Sequence, residues 1–185
     1  MSARVDVLTA GYVGDRVASS VVLVRENDVI VVVDPGMVAD RSRILEPLHA
    51  LGVHEDDVTD VIFSHHHPDH TLNAALFARA SYRDVWATYR DDRWDDRCDV
   101  LPGAPSVSLM DTPGHTPQDI STLIETDQGL VVCTHLWWSV EGPLVDPLAS
   151  DQAQLESSRA AVLALAPVMI VPGHGAPFSP SDLPV

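Results

Sequence analysis

Apolar residues in this chain fall into short runs rich in β-branched side chains. Arg4–Leu8, Ser19–Arg25 and Val29–Asp34 come first, with an Asn27-Asp28 turn between the second and third. Runs of this kind, bounded by turn residues, predict a meander of strands. Asp34-Pro35-Gly36 stops the third. The period then changes: in Val38–Leu51 the residues Ile44, Leu45, Leu48 and Leu51 recur at helical spacing, and Gly52 follows as a stop. Val58–Phe63 reads as a buried strand that runs into Ser64-His65-His66-His67-Pro68-Asp69-His70, and Thr71–Ala80 reads as a short helix.

The second half repeats the style. Asp84–Tyr89, Ser106–Met110, Ile120–Glu125 and Leu130–His135 predict strands, with Asp127-Gln128-Gly129 as a hairpin turn. Asp151 caps a helix through Leu165, and Val168–Val171 is a last strand ending in Pro172-Gly173-His174-Gly175. Two groups of strands, with helices between and after them, predict an α/β fold of two sheets covered by helices.

Length and composition narrow the picture. A chain of 185 residues, 45% hydrophobic and 21% charged, fits one globular domain over 1–185. Against 27 acidic residues stand 11 basic ones, every one an Arg, giving a formal net charge of −16. That field repels phosphates and anionic lipid, so nucleic acid and membrane are set aside as partners and a small-molecule substrate is expected. No apolar run approaches the ~20 residues of a membrane span. Residues 1–16 lack a signal-peptide pattern. Cys98 and Cys133 are too few for a disulfide framework. A cytoplasmic protein is the expectation.

The chemistry lies in the histidines. Of nine, seven sit in four places: His65, His66, His67 and His70; His115; His135; His174. Each place is a predicted strand end or the loop after it, where ligands gather on a rigid sheet. Imidazole is a preferred ligand of zinc, iron, copper and nickel. Side chains alternate along extended backbone, so His65 and His67 share a side, and Asp69 and His70 follow; one segment can serve two neighbouring ions. His49 and His54 lie away from these motifs, and Arg90–Asp99, alternating Arg and Asp around Trp94 and Cys98, reads as a solvated loop. Cys133 is expected in the core.

His65-His66-His67-Pro68-Asp69-His70 resembles the signature of the metallo-β-lactamase-fold hydrolases. Thr112-Pro113-Gly114-His115-Thr116, the strand end at position 135 and Val171-Pro172-Gly173-His174-Gly175 follow in that family's order, and Asp34-Pro35-Gly36 matches its early Asp-x-Gly turn. The resemblance spans about residues 18–178. It implies an αβ/βα four-layer sandwich, two mixed sheets flanked by helices, with metal at one edge. It implies His65, His67 and His115 on one ion and Asp69, His70 and His174 on a second. Shortness and the His115–Ser121 run look most like the small metallo-β-lactamase domain-containing proteins, a group that includes a histone pre-mRNA nuclease; the acidity argues against that activity here.

The chain departs from the family at one place. Where many two-metal members put a bridging aspartate, it reads Val132-Cys133-Thr134-His135-Leu136. A carboxylate can span two cations, whereas neutral imidazole offers one lone pair. His135 can ligate one ion, orient another ligand, or pack in the core. The implied cofactor is zinc, one or two ions per chain, with iron and manganese as further candidates. The implied reaction is hydrolysis of a small ester, lactone or thioester by a metal-bound hydroxide, with Asp69 as general base if one ion binds. Asp34 and Asp119 are candidates to orient ligand imidazoles, and Trp137 and Trp138 to line the substrate pocket or an exposed dimer contact. Three other readings stand beside this one. They are a mononuclear iron oxidoreductase similar to persulfide dioxygenases (His65, His115 and His135 on the iron), a phosphodiesterase, and a metal-binding scaffold without catalysis.

Overall fold

Alternation along the strands builds two cores at once. In β2 (Val21–Glu26), Val22 and Val24 face one apolar cluster while Val21 and Leu23 face another. The structure, a computed structural model, describes residues 2–184. Its first sheet has the order β1 (Arg4–Thr9), β2, β3 (Val29–Val33), β4 (Asp60–Ile62), β5 (Ser81–Arg83), β6 (Ala87–Arg90), β7 (Arg93–Asp96). The β3–β4 and β4–β5 pairs are parallel and the others antiparallel. The second sheet runs β12 (Met169–Pro172), β11 (Gly129–Thr134), β10 (Ile120–Thr126), β9 (Ala104–Asp111), β8 (Val100–Leu101), parallel only between β11 and β12.

Between the sheets lie Val22, Val24, Val31, Val33 and Ile62 from one side, and Val107, Ile120, Ile124, Val131 and Cys133 from the other. On the outer face of the first sheet, Val21, Leu23, Val32 and Val61 pack against Ile44 and Leu48 of α1 (Ser42–Ala50) and against Phe77. On the outer face of the second, Val132 and Ile170 pack against Leu155 and Val162 of α3 (Gln152–Ala164). Each fully buried aliphatic side chain of this kind stabilises the fold by about 1.5–3 kcal/mol. The result is the αβ/βα sandwich of two mixed sheets.

Two predicted elements come out differently. Thr71–Ala80 is not one helix but α2 (Pro68–Thr71) followed by a 3₁₀ turn at Ala74–Phe77. Pro68 starts the helix early, at a position where its missing N–H is no loss. The Asn73 N–H then leaves the helix to donate to the Gly36 carbonyl, 3.0 Å away. The supposed loop at Arg90–Asp99 holds β7, joined to β6 by a two-residue turn in which Asp91 takes φ 54°. Every residue of β7 is exposed, so it leaves no hydrophobic pattern to read. Asp151 caps α3 as expected, accepting from the Gln154 N–H at 3.0 Å, and among the described residues no helix is long and apolar enough to cross a membrane.

Candidate metal centre

The predicted histidine motifs meet at one edge of the sandwich. His65 and His67 follow β4, His70 lies in α2, His115 follows β9, His135 follows β11 and His174 follows β12. Backbone hydrogen bonds stitch the two sheets together there: the Ile120 N–H donates to the Ser64 carbonyl (2.9 Å) and the Ser20 N–H to the Gly173 carbonyl (2.8 Å). His66 turns away, its Nε2 3.0 Å from Asp84 Oδ2 and its ring stacked on Trp86. His49 and His54 pair with Glu55, at a site apart from this edge.

Four of the rings are held by an acceptor behind them. His70 Nδ1 donates to Asp34 Oδ2 at 2.8 Å, and Ser64 Oγ donates to the same oxygen at 2.7 Å. With its proton so placed, Ser64 Oγ accepts from His65 Nδ1 at 3.0 Å. His115 Nδ1 donates to Asp146 Oδ2 (2.7 Å) and His174 Nδ1 to the Ala18 carbonyl (3.0 Å). In all four the Nε2 lone pair is left for the centre. Asp34 works from a left-handed backbone, φ 50°, which short polar side chains tolerate best.

The donors interlock. His65, His67 and His115 each place a donor atom within 4.8 Å of the others, as do Asp69, His70 and His174, and also His65, His70 and His135. His67 Nδ1 lies 3.0 Å from His115 Nε2, and Asp69 Oδ2 lies 3.6 Å from both His70 Nε2 and His174 Nε2. Burial holds His65 and His135 well below the usual imidazole range, and the surrounding imidazoles add to the effect. Burial also lowers His115 and His174, against opposing hydrogen bonds from Asp146 and the Ala18 carbonyl. Neutral rings keep the lone pairs a metal requires.

Two glycines make this packing possible. A Cβ on Gly114 would lie 2.4 Å from Leu155 Cα, so only glycine lets α3 press onto the loop that presents His115. A Cβ on Gly173 would lie 2.3 Å from Cδ2 of His135, whose ring crosses that position.

Comparison with known proteins bears on what this edge is. Over 94% of its length the chain is 38% identical to "Metallo-beta-lactamase domain-containing protein 1" of Xenopus laevis, of which it covers 80%. The chain belongs to the metallo-beta-lactamase superfamily. The sequence model of the Metallo-beta-lactamase superfamily matches residues 14–95. Like-named mammalian proteins are longer, and this superfamily member spans 59–62% of them. About half of it (51%) aligns at 33% identity with an N-acyl homoserine lactonase of Bacillus cereus, covering 44% of that protein. In fold it is similar to a Thermotoga maritima crystal structure of the metallo-beta-lactamase type: TM-score 0.72, 21% identity, 97% of this chain and 100% of that one.

The remaining predicted residues of this superfamily member divide. Trp138 reaches the cleft above the donors, beside His174. Trp137 does not. Its ring is buried against Phe178 with the Arg159 guanidinium 5.7 Å from its centroid. Asp119 accepts from the Thr116 N–H (2.7 Å) and Oγ (2.6 Å) and so braces the turn after His115. Its carboxyl stays 4.0 Å from His65 Nδ1, beyond a hydrogen bond, and burial pushes it up to about 6. Sequence reasoning missed Asp146, fully enclosed between His115 Nδ1 and the Trp138 indole N–H (3.0 Å). A lone carboxylate in the apolar run Pro143-Leu144-Val145-Asp146-Pro147-Leu148 was the signal available. Cys133 is a free thiol in the core, pushed up by burial.

Proposed function

We propose that this protein is a metal-dependent hydrolase of small, uncharged acyl compounds: esters, lactones or thioesters. The observation that carries the reading is the cleft over the donors. It holds about 160 Å³, with His67, Asp69, His115, His135 and His174 on its floor and Val13, Val17, Trp138 and Leu148 around its rim. No Arg lines it, so no cationic side chain there pairs with a phosphodiester, and an apolar rim suits an acyl group or a lactone ring. The partial similarity to a lactonase supports the same class.

The residues fit a metal. Buried Nε2 of His65, Nε2 of His70 and Nδ1 of His135 have no hydrogen-bond partner among the described residues, and a set of imidazoles with one carboxylate suits zinc, iron or manganese. His65, His67, Asp69, His70, His115, His135 and His174 would hold it. When bound, such an ion lowers the pKa of a water from 15.7 to about 7 and polarises a carbonyl. Asp69 is the one carboxylate lining the cleft, and it is partly open to it. With a single ion on the His65, His67 and His115 side, its Oδ2 would be free to take a proton from an attacking water. Asp34 and Asp146 fix the rings in their tautomers, and Val17, Trp138 and Leu148 seat the apolar part of the substrate and displace water.

The test compares chelator-stripped protein with protein reloaded with zinc, manganese or iron, on ester, lactone, thioester and phosphodiester panels. Turnover of an acyl panel by loaded protein, reduced about 10²–10⁴-fold in Asp69→Asn, is expected. Turnover confined to phosphodiesters would overturn the reading. So would an inert acyl panel with oxygen uptake on glutathione persulfide by iron-loaded protein, or saturating metal without turnover on any panel.

A further inference from the structure

The segment between β11 and α3 carries two parts of the centre: Trp138, beside the cleft, and Asp146, behind His115. Its two limbs are held in different ways. The outbound limb is fixed by its own side chains, since Leu136 and Trp137 are buried in the cluster under α3. On the return limb Leu144 and Val145 stay 70% and 69% exposed. Burial of apolar side chains therefore does not place the residues that lead into Asp146.

The return limb is held instead by its backbone, from α3. Arg159 Nε donates to the Leu136 carbonyl (2.7 Å), one terminal nitrogen to the Leu144 carbonyl (2.8 Å) and the other to the Pro143 carbonyl (3.1 Å). One flat guanidinium thus closes the base of the loop and joins its limbs. Gln152, on the same helix, supports it: Nε2 donates to the Leu144 carbonyl (3.3 Å) and Oε1 accepts from the Asp146 N–H (3.0 Å). The Trp137 ring, its centroid 5.7 Å from the guanidinium carbon, adds a cation–π contact. Burial lowers Arg159 from its usual range, and the negative charge of Asp146, then that of Glu156, opposes this.

Asp146 is where that placement reaches the centre. Its Oδ2 accepts from His115 Nδ1 (2.7 Å) and from the Trp138 indole N–H (3.0 Å), and its Oδ1 from the Leu148 N–H (2.8 Å). We infer that Arg159 is a positioning residue: by tying the carbonyls of Leu136, Pro143 and Leu144 together it sets Asp146, and through Asp146 the His115 ring and Trp138. Lysine cannot replace it, because the donors of an ammonium share one atom whereas these carbonyls meet three nitrogens. The inference rests on the metal-centre part of the proposal above and is independent of what is hydrolysed.

The experiment measures zinc affinity on the whole chelator-stripped protein, without substrate, by competition with a chromophoric chelator. It compares the parent with Arg159→Ala, Arg159→Lys, Asp146→Ala and the double variant Arg159→Ala/Asp146→Ala. Arg159→Ala is expected to weaken zinc about tenfold, the lower end of what changes outside the ligand sphere produce, and Arg159→Lys to recover little of it. The double variant is expected to bind no more weakly than Asp146→Ala alone, because one route carries both losses. In metal-free Arg159→Ala the ¹⁵N indole signal of Trp138 is expected to shift while those of Trp86 and Trp94 stay. Losses that add in the double variant would overturn the inference. So would unchanged zinc affinity and an unchanged Trp138 signal in folded Arg159→Ala. Should the variants not fold, the Arg159 Nε–H of the unaltered protein decides: slow exchange with solvent is expected, and exchange as fast as that of Arg93, whose side chain is 74% exposed, would overturn it. Failure of the metal-dependent reading would show separately, as a parent that binds no zinc while the Trp138 signal still follows Arg159.

Discussion

Gly173→Ala tests the packing of the centre without touching a donor. The new Cβ would stand 2.3 Å from His135 Cδ2, 2.9 Å from Nε2 and 3.0 Å from Cγ. Carbon atoms settle at about 3.5–4.0 Å, so the ring must retreat by roughly 1 Å or more. It has nowhere easy to go, with the rings of His65, His70 and His115 at centroid distances of 4.6, 4.8 and 4.2 Å. Gly173 is not left-handed, so alanine meets no backbone penalty and the collision is the whole perturbation. Overpacking of this kind costs about 1–3 kcal/mol. Displacement of His135 adds a loss of metal affinity of about 10–100-fold. Urea denaturation of metal-free protein reads the first quantity and competitive zinc titration the second. A variant within about 0.5 kcal/mol of the parent, with the same zinc affinity, would show that the ring is free to move and refute the reasoning.

The other expectations follow from the same contacts. Buried His65, His115, His135 and His174 take up protons less readily folded than unfolded. Metal-free protein should therefore keep full stability above about pH 6.5 and lose it below, each group contributing up to about 1.4 kcal/mol per pH unit; thermal melts flat between pH 7 and 5 would contradict this. Asp34→Ala strips the acceptor from the Ser64 N–H, Ser64 Oγ and His70 Nδ1. At about 1–3 kcal/mol per buried unpaired donor the loss in a urea titration should reach at least about 3 kcal/mol. Asp34→Asn, which tolerates the left-handed backbone, should recover part of it. Trp137→Ala should destabilise by about 3–5 kcal/mol. Trp138→Ala, losing one indole hydrogen bond to Asp146, should cost about 1 kcal/mol and raise KM for acyl substrates; the reverse ranking would mean the two rings had been assigned to the wrong sides.

Much of this was legible in the order of residues because the relevant physics is local. Val21-Val22-Leu23-Val24 alternates between two cores, so its strand shows as a continuous apolar run. His65-x-His67 works through the same alternation, and Asp34 stands where its strand ends. What stayed hidden depends on contacts remote in sequence. Trp137 and Trp138 read alike until Phe178 and Arg159 claim the first and Asp146 the second. Asp146 itself reaches His115 across 31 residues from a stretch without period. The break after α2 is made by Gly36, far upstream. β7 pairs through its backbone while its side chains, Arg93-Trp94-Asp95-Asp96, all face solvent; its charges guard the open edge of the first sheet against pairing with another chain.

The donors are divided between the halves of the sandwich: His65, His67, Asp69 and His70 hang from the first sheet, and His115, His135 and His174 from the second. Ser64 and Gly173, whose carbonyls carry the bonds that cross between the halves, adjoin His65 and His174. An ion gripped from both sides is a rivet through the domain. Its binding free energy, about 2.7 kcal/mol at a hundredfold excess over Kd, adds to the cohesion of the two sheets as a unit. Chelation should therefore loosen the whole sandwich along its seam, and either half prised from the other would surrender the ion at once.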